Sequence, residues 1–160
     1  MALSFKSRLK YNLYLLYFGL TKVRLFNYCH PQIVDVSNKG VTLLIPLNRR
    51  TRNHVGSMYI GVMTVGVDLV TGLTAMLKIR ESKRNVILIF KDLNANYLKR
   101  AEGDVHYICN ESKKIARAVD KTLQTGERVN IPVPVIATVP EKFGDDPVAE
   151  FSITLSLKEK

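Results

Sequence analysis

The sequence holds no tryptophan, three histidines and two cysteines in 160 residues. Cys29 and Cys109 stand far apart and fit neither C-x-x-C nor a Cys/His ligand spacing, so they are expected to be reduced thiols in a cytoplasmic protein. His30, His54 and His106 show no H-E-x-x-H spacing, and no metal site is expected. A chain of this length buries roughly two-thirds of its unfolded surface and needs neither a disulfide nor a structural metal. Acidic residues are also sparse. Fourteen Asp and Glu face 24 Lys and Arg, a net charge of +10. Lys6, Arg8, Lys10, Lys22 and Arg24 all precede the first acid, Asp35. That balance suits an anionic partner. Nucleic acid is not expected, because the basic residues are scattered and R-R-T-R at 49–52 lacks interleaved aromatics. Hydrophobic content of 46% excludes a disordered chain.

L-Y-L-L-Y-F-G-L at 13–20 is short, tyrosine-rich and without a small-x-small cleavage site, which argues against a signal peptide. Leu9, Leu13, Leu16 and Leu20 recur at spacings of three and four, with Lys6, Lys10 and Asn12 between them, so the segment predicts an amphipathic helix. Its leucine stripe is expected to face the domain. The basic remainder offers peripheral contact with a membrane surface or an acidic protein. Residues 1–30 therefore read as a helical extension ahead of a domain at 31–160.

The rest reads mostly as strands around one apolar helix. Val41, Leu43, Ile45 and Leu47 alternate in a strand that leads into a basic loop. V-I-L-I-F at 86–90 has the continuous apolar character of a strand buried on both faces, and strand-like sequence continues to Tyr97. Gly103-Asp104 marks a turn before V-H-Y-I-C. Ile115, Val119 and Leu123 form one stripe of a short surface helix that stops at Gly126. Val129 to Val135 alternate around Pro132 and Pro134, which remove two N–H donors from the same side and predict a local edge or bulge. Ala149, Phe151, Ile153, Leu155 and Leu157 give a last strand with one wet face.

Between Arg52 and Lys78 the only formal charge is Asp68. A bilayer span of 55–77 is long enough, but an ionised Asp at its centre costs about 2.5–3.5 kcal/mol, and the downstream chain alternates as soluble strands do. A helix apolar all round is instead wrapped by other elements. This layout resembles the hotdog fold of acyl-CoA thioesterases, of the phenylacetate-pathway type, whose pattern is N-x-x-G-x-x-H-G-G-x-x-x-x-L-x-D. Asn53, Gly56, Gly61 and Asp68 match it without a gap. Tyr59 replaces the histidine, Ile60 the first glycine and Gly66 the leucine. The resemblance implies an α+β hotdog domain over 31–160.

Thioester hydrolysis needs donors for the oxygen that becomes negative and a base or nucleophile. Free N–H groups at a helix N-terminus around Ile60 and Gly61 provide the first, and Asp68 the second. Gly61 and Asp68 lie about 10 Å apart along a helix, too far to grip one carbonyl. The resemblance implies a homodimer or homotetramer in which the acid of one subunit meets the glycine of the other, with Asn53 positioning the carbonyl or water. Gly56, Tyr59 and Ile60 would line the substrate site, and Tyr59 cannot serve as a base at neutral pH. Arg49, Arg50 and Arg52 are candidates for the coenzyme A phosphates, or for docking an acyl carrier protein. No cofactor is expected beyond the coenzyme A that a substrate carries. Structural roles compete: Asp68 as a hydrogen-bonded buried acid, the glycines as packing sites, Asn53 as a helix cap and Tyr59 as pocket wall. The alternative function is a non-catalytic hotdog module that binds an acyl chain or acyl carrier protein.

Overall fold

A computed structural model describes residues 5–160, with Phe5 and Lys6 described by backbone only. The placement of Lys6 between the leucines lies outside the described side chains. The chain runs α1 (Phe5–Thr21), α2 (Arg24–Cys29), β1 (Gln32–Val36), β2 (Val41–Ile45), α3 (Ile60–Ser82), β3 (Val86–Tyr97), β4 (Val105–Cys109), α4 (Ser112–Thr125), β5 (Val129–Thr138), α5 (Pro140–Phe143) and β6 (Pro147–Glu159). The six strands make one antiparallel sheet in the order β1-β2-β4-β5-β6-β3. It packs against the long α3, an α+β hotdog architecture. β1 precedes the strand read from 41–47 and is a second strand ahead of the helix.

α3 forms despite glycines at 61, 66 and 72, each of which costs about 1 kcal/mol relative to alanine in a helix interior. Tertiary packing compensates. Val62, Met63, Val65, Val67, Leu69, Val70 and Ala75 are buried, so a helix apolar and long enough to cross a bilayer is here a core helix. Its middle rests on β4. A Cβ built on Gly66 would come within 2.2 Å of the Tyr107 ring, so that glycine gives the fully buried tyrosine its seat. The Tyr107 hydroxyl lies 3.5 Å from Met63 Sδ. Lys83 closes α3 in the left-handed conformation.

β5 pairs with β6 over its whole length but with β4 only at Ile136–Thr138. Pro132 and Pro134 thus sit where the β4 side is unpaired, as their missing donors require. α4 runs over the predicted residues, buries Ile115 and Val119, and ends at Gly126 with φ +68°. β6 buries Ala149, Phe151, Ile153, Leu155 and Leu157.

Two expectations are corrected. V-I-L-I-F is not buried on both faces: β3 is an edge strand, and Ile87 and Ile89 are exposed. The leucine stripe of α1 does not face the domain either. Leu9, Leu13, Leu16 and Leu20 are 46–56% exposed, whereas Leu15 is buried and Tyr11 and Phe18 pack against the core. α1 is apolar on two faces, and the face carrying aromatic bulk packs inward. Asn12 anchors it by accepting the Ile33 N–H at 2.8 Å.

Candidate active site

Asp68 lies midway along α3, one turn before Gly72. It lines an apolar cavity of about 230 Å³ with Leu69, Gly72 and Leu73 of α3, Phe18, Val23 and Phe26 of the N-terminal hairpin, and Leu88 and Phe90 of β3. No hydrogen bond or ion pair to Asp68 is formed among the described residues. Burial pushes its carboxyl up from the ordinary 3.8 to about 6. Among the described residues, the reading of Asp68 as a hydrogen-bonded buried acid finds no donor within the chain. An unpaired carboxylate facing a cavity is a common mark of a functional group.

A second apolar cavity of about 180 Å³ shares Leu73 and Met76 with the first and continues between α1 and α3, past Tyr11, Tyr14 and Leu77 to Lys10 and Arg80. Arg80 stands 5.7 Å from the Tyr14 ring centre at its far end. Asp68 and Arg80 are twelve residues apart on α3, about 18 Å along its axis.

The N-terminus of α3 faces a different cleft, lined by Asn53, Ser57, Tyr59, Ile60, Met63, Tyr97, Lys99 and Arg100 among others. The loop before it is held by Asn53, whose Oδ1 accepts the N–H groups of Val55 (3.0 Å) and Ser57 (3.1 Å) and whose Nδ2 donates to Ser57 Oγ. Asn53 is thus the loop's organiser and not the helix cap, which is Tyr59. Gly56 takes φ +83° at the turn that Asn53 closes, a conformation that favours glycine. Thr51 accepts the Tyr59 N–H, and Ala101 accepts that of Met58, so the loop is pinned on both sides of the helix start.

Tyr59 and Ile60 are exposed, and the Tyr59 ring lies over Gly61, where a built Cβ would meet Cε1 at 2.6 Å. The three atoms nearest to such a Cβ all belong to Tyr59. The expected site residues thus fall into two groups: Asn53, Tyr59 and Ile60 line the cleft at the helix start, with Gly56 in the adjoining turn and Gly61 in the helix's first turn, while Asp68 lies two turns on in its own cavity. Arg49 and Arg52 are exposed on the preceding loop. Arg50 is engaged elsewhere, 5.5 Å from the Tyr28 ring centre and hydrogen-bonded to His30 of the N-terminal hairpin.

Tyr97, Lys99 and Arg100 are among the cleft residues that escaped the sequence reading. They arrive because β3 runs back antiparallel to α3, and the only sequence signal was the K-R pair just past a strand. Lys99 pairs with Asp146 at 3.1 Å, and Arg100 pairs with Glu102 at 3.2 Å and donates to the Val55 carbonyl. Among the described residues, no three His, Cys, Asp or Glu side chains gather closely enough to hold a metal ion.

The architecture is shared widely. A protein of unknown function from Chlorobaculum tepidum superposes with a TM-score of 0.81 at 14% identity, covering 96% of this chain and 97% of its own. A Pseudomonas aeruginosa protein described as a probable thioesterase superposes at 0.74 with 18% identity over 100% and 99% of the two chains. A protein described as a thioesterase from Haemophilus influenzae gives 0.66 at 13% identity over 99% and 93%. At such identities the likeness is one of fold. No curated protein matches the sequence. The family model for a domain of unknown function, DUF4442, matches residues 16–157, from within α1 almost to the end of β6, and the chain belongs to that family.

Proposed function

We propose that the protein hydrolyses an acyl thioester, carried by coenzyme A or an acyl carrier protein, with Asp68 as the group that activates water. The observation that carries this is the unpaired Asp68 carboxyl, raised to about 6 and opening into an apolar cavity. A base of that strength is half-ionised near pH 6 and mostly ionised at neutral pH, where it accepts a proton readily. Asp68 takes a proton from water as the oxygen attacks the thioester carbon. The tetrahedral oxyanion then collapses, the C–S bond breaks, and the proton returns to the leaving thiolate. The two apolar cavities beneath α1 and α2 suit the acyl chain. The fold's likeness to proteins described as thioesterases supports the reaction class.

Oxyanion donors must come from a helix N-terminus, and in one chain that end is too far from Asp68. A second copy supplies it if two β3 edges pair. β3 offers twelve residues without proline, and its outer side has no strand partner among the described residues. Antiparallel pairing about a two-fold axis sets the Tyr97 end of one strand beside the Val86 end of the other. The helix-start cleft includes Tyr97, whereas the Asp68 cavity includes Leu88 and Phe90. Pairing thus brings the free N–H groups around Ile60 and Gly61 of one copy toward Asp68 of the other. Asn53 acts in this reading by shaping the loop that presents them. Arg49 and Arg52, with Lys99 and Arg100 beside the cleft, suit the phosphates of coenzyme A.

Tyr59 favours a second reading, a non-catalytic module that binds an acyl chain, because its ring covers Gly61 where a carbonyl would approach. A panel of acyl-CoA esters of increasing chain length, followed by thiol release, decides between them. Hydrolysis abolished by Asp68→Asn supports the enzyme. No release from any ester, together with tight fatty-acid binding, establishes the module.

A further inference from the structure

The outer face of α1 is left over by everything above. Leu9, Leu13, Leu16, Tyr17 and Leu20 follow one another up the helix, each 46–61% exposed, and α2 adds Leu25 at 55%. Side chains three and four apart share a helix face, so these form one stripe and not scattered apolar points. Apolar stripes of this extent on a soluble surface mark a contact site. The surrounding charge is of one sign. Arg8 and Lys10 are exposed on α1, Lys22 lies in the turn, Arg24 opens α2, and no Asp or Glu occurs before Asp35.

We propose that the α1–α2 hairpin rests on an anionic lipid surface, with the leucine stripe at the acyl boundary and the four basic side chains among the headgroups. An amphipathic helix that lies in the membrane plane needs this combination of a large apolar face and flanking Lys or Arg. Each basic residue close to an anionic bilayer strengthens partitioning roughly fivefold, or about 1 kcal/mol. A second copy of the chain is the competing occupant, and charge disfavours it. A two-fold contact through this stripe brings Arg8, Lys10, Lys22 and Arg24 against the same residues of the other copy, with no acid in either hairpin to pair them.

The inward face of the same hairpin adds a reason for the position. Phe18, Val23 and Phe26 roof the cavity containing Asp68, and Tyr11 and Tyr14 line its continuation. A hairpin lying on lipid sets that apolar roof at the bilayer surface, the source of long acyl chains. The docking stands without the proposed hydrolysis, since the stripe and its charges owe nothing to Asp68.

The test is co-sedimentation of the full chain with vesicles of phosphatidylcholine, with and without phosphatidylglycerol, alongside sedimentation of the protein alone. The expected result is binding to the anionic vesicles, weakened by added salt and at least about tenfold weaker to neutral ones. Leu13→Glu with Leu16→Glu should abolish it, and Arg8→Glu with Arg24→Glu should lower it by at least about tenfold. Both pairs are exposed, so circular dichroism and any hydrolysis of soluble esters should be unchanged. Equal binding to neutral vesicles, or none to anionic ones, overturns the proposal. So does a leucine variant whose only change is a smaller assembly, which would assign the stripe to a second copy.

Discussion

Replacing Asp68 by asparagine tests the site through two measurements that a structural acid and a catalytic one move in opposite directions. Burial raises this carboxyl from 3.8 to about 6. At 1.36 kcal/mol per pH unit, that rise corresponds to about 3 kcal/mol for a fully sealed group. Asp68 is partly exposed, and solvent reduces this to about 1–2 kcal/mol. The raised value means that the folded state favours the protonated acid. Its stability is fully present below the unfolded value near 3.9 and is lost as pH rises through 6. Asp68→Asn removes the ionisation. It should match the wild type near pH 4 and exceed it at pH 7.5 by about 2–8 °C in melting temperature, at about 2–4 °C per kcal/mol for a chain of this size. Activity should move the other way, with kcat at least about 10²-fold lower. In the wild type, kcat/KM should rise with pH through a midpoint near 6 as the carboxylate forms. A midpoint at 4, or a variant less stable at pH 7.5 and equally active, would refute the desolvated-base argument.

The other predictions follow from single contacts. Ile89→Asp on the exposed β3 edge should give a folded monomer by sedimentation and abolish hydrolysis, because the proposed composite site needs a second copy. Gly66→Ala should lower stability by about 1–3 kcal/mol in thermal melts, since its methyl group overlaps the buried Tyr107 ring. Gly61→Ala should cost no stability, as only the exposed Tyr59 ring must swing away, and should lower kcat/KM. Arg49→Glu with Arg52→Glu should raise KM for acyl-CoA more than it lowers kcat, read from steady-state kinetics. Leu73→Trp, at the junction of the two cavities, should shift the preferred substrate toward shorter acyl chains in a chain-length panel.

What the sequence disclosed depended on whether a residue's neighbours were local. The stripe of α4, the alternation of β6 and the consequence of Pro132 and Pro134 are periodic or stereochemical facts, and the fold realises each. β1 was missed because Q-I-V-D-V is short, follows Pro31 and carries an irregularity between Ile33 and Asp35. The α1 leucines misled because Tyr11, Leu15 and Phe18 form a second apolar face, and periodicity alone does not choose between two. V-I-L-I-F carried the composition of a buried strand, but its place at the sheet edge follows from topology. Within the candidate site, Asp68 stood out as a lone charge in an apolar run. Lys99 and Arg100 did not, since only the return of β3 brings them to the start of α3. Arg50 fits a phosphate-binding loop by sequence, and only the packing of α2 reveals Tyr28 and His30 beside it.

The glycines of α3 carry the argument one step further. Each costs the helix about 1 kcal/mol, so each calls for a cause. Gly66 has one inside the chain, the Tyr107 ring. Gly72 does not: a Cβ there would make only ordinary contacts, at 3.8 Å to Phe90 and 3.9 Å to Asp68 Oδ1. At Gly61 the nearest atoms to such a Cβ belong to the exposed Tyr59 ring. These two glycines stand seven residues before Asp68 and four after it, on the face of the helix that carries the carboxylate. Backbone left without a Cβ on both sides of an unpaired acid is what an approaching carbonyl and the start of a second copy's helix would both require in the proposed site, and at Gly61 the Tyr59 ring now occupies that space. The same spacing explains why Tyr59 is the departure with most consequence, since its ring covers the one glycine that the proposed chemistry needs uncovered.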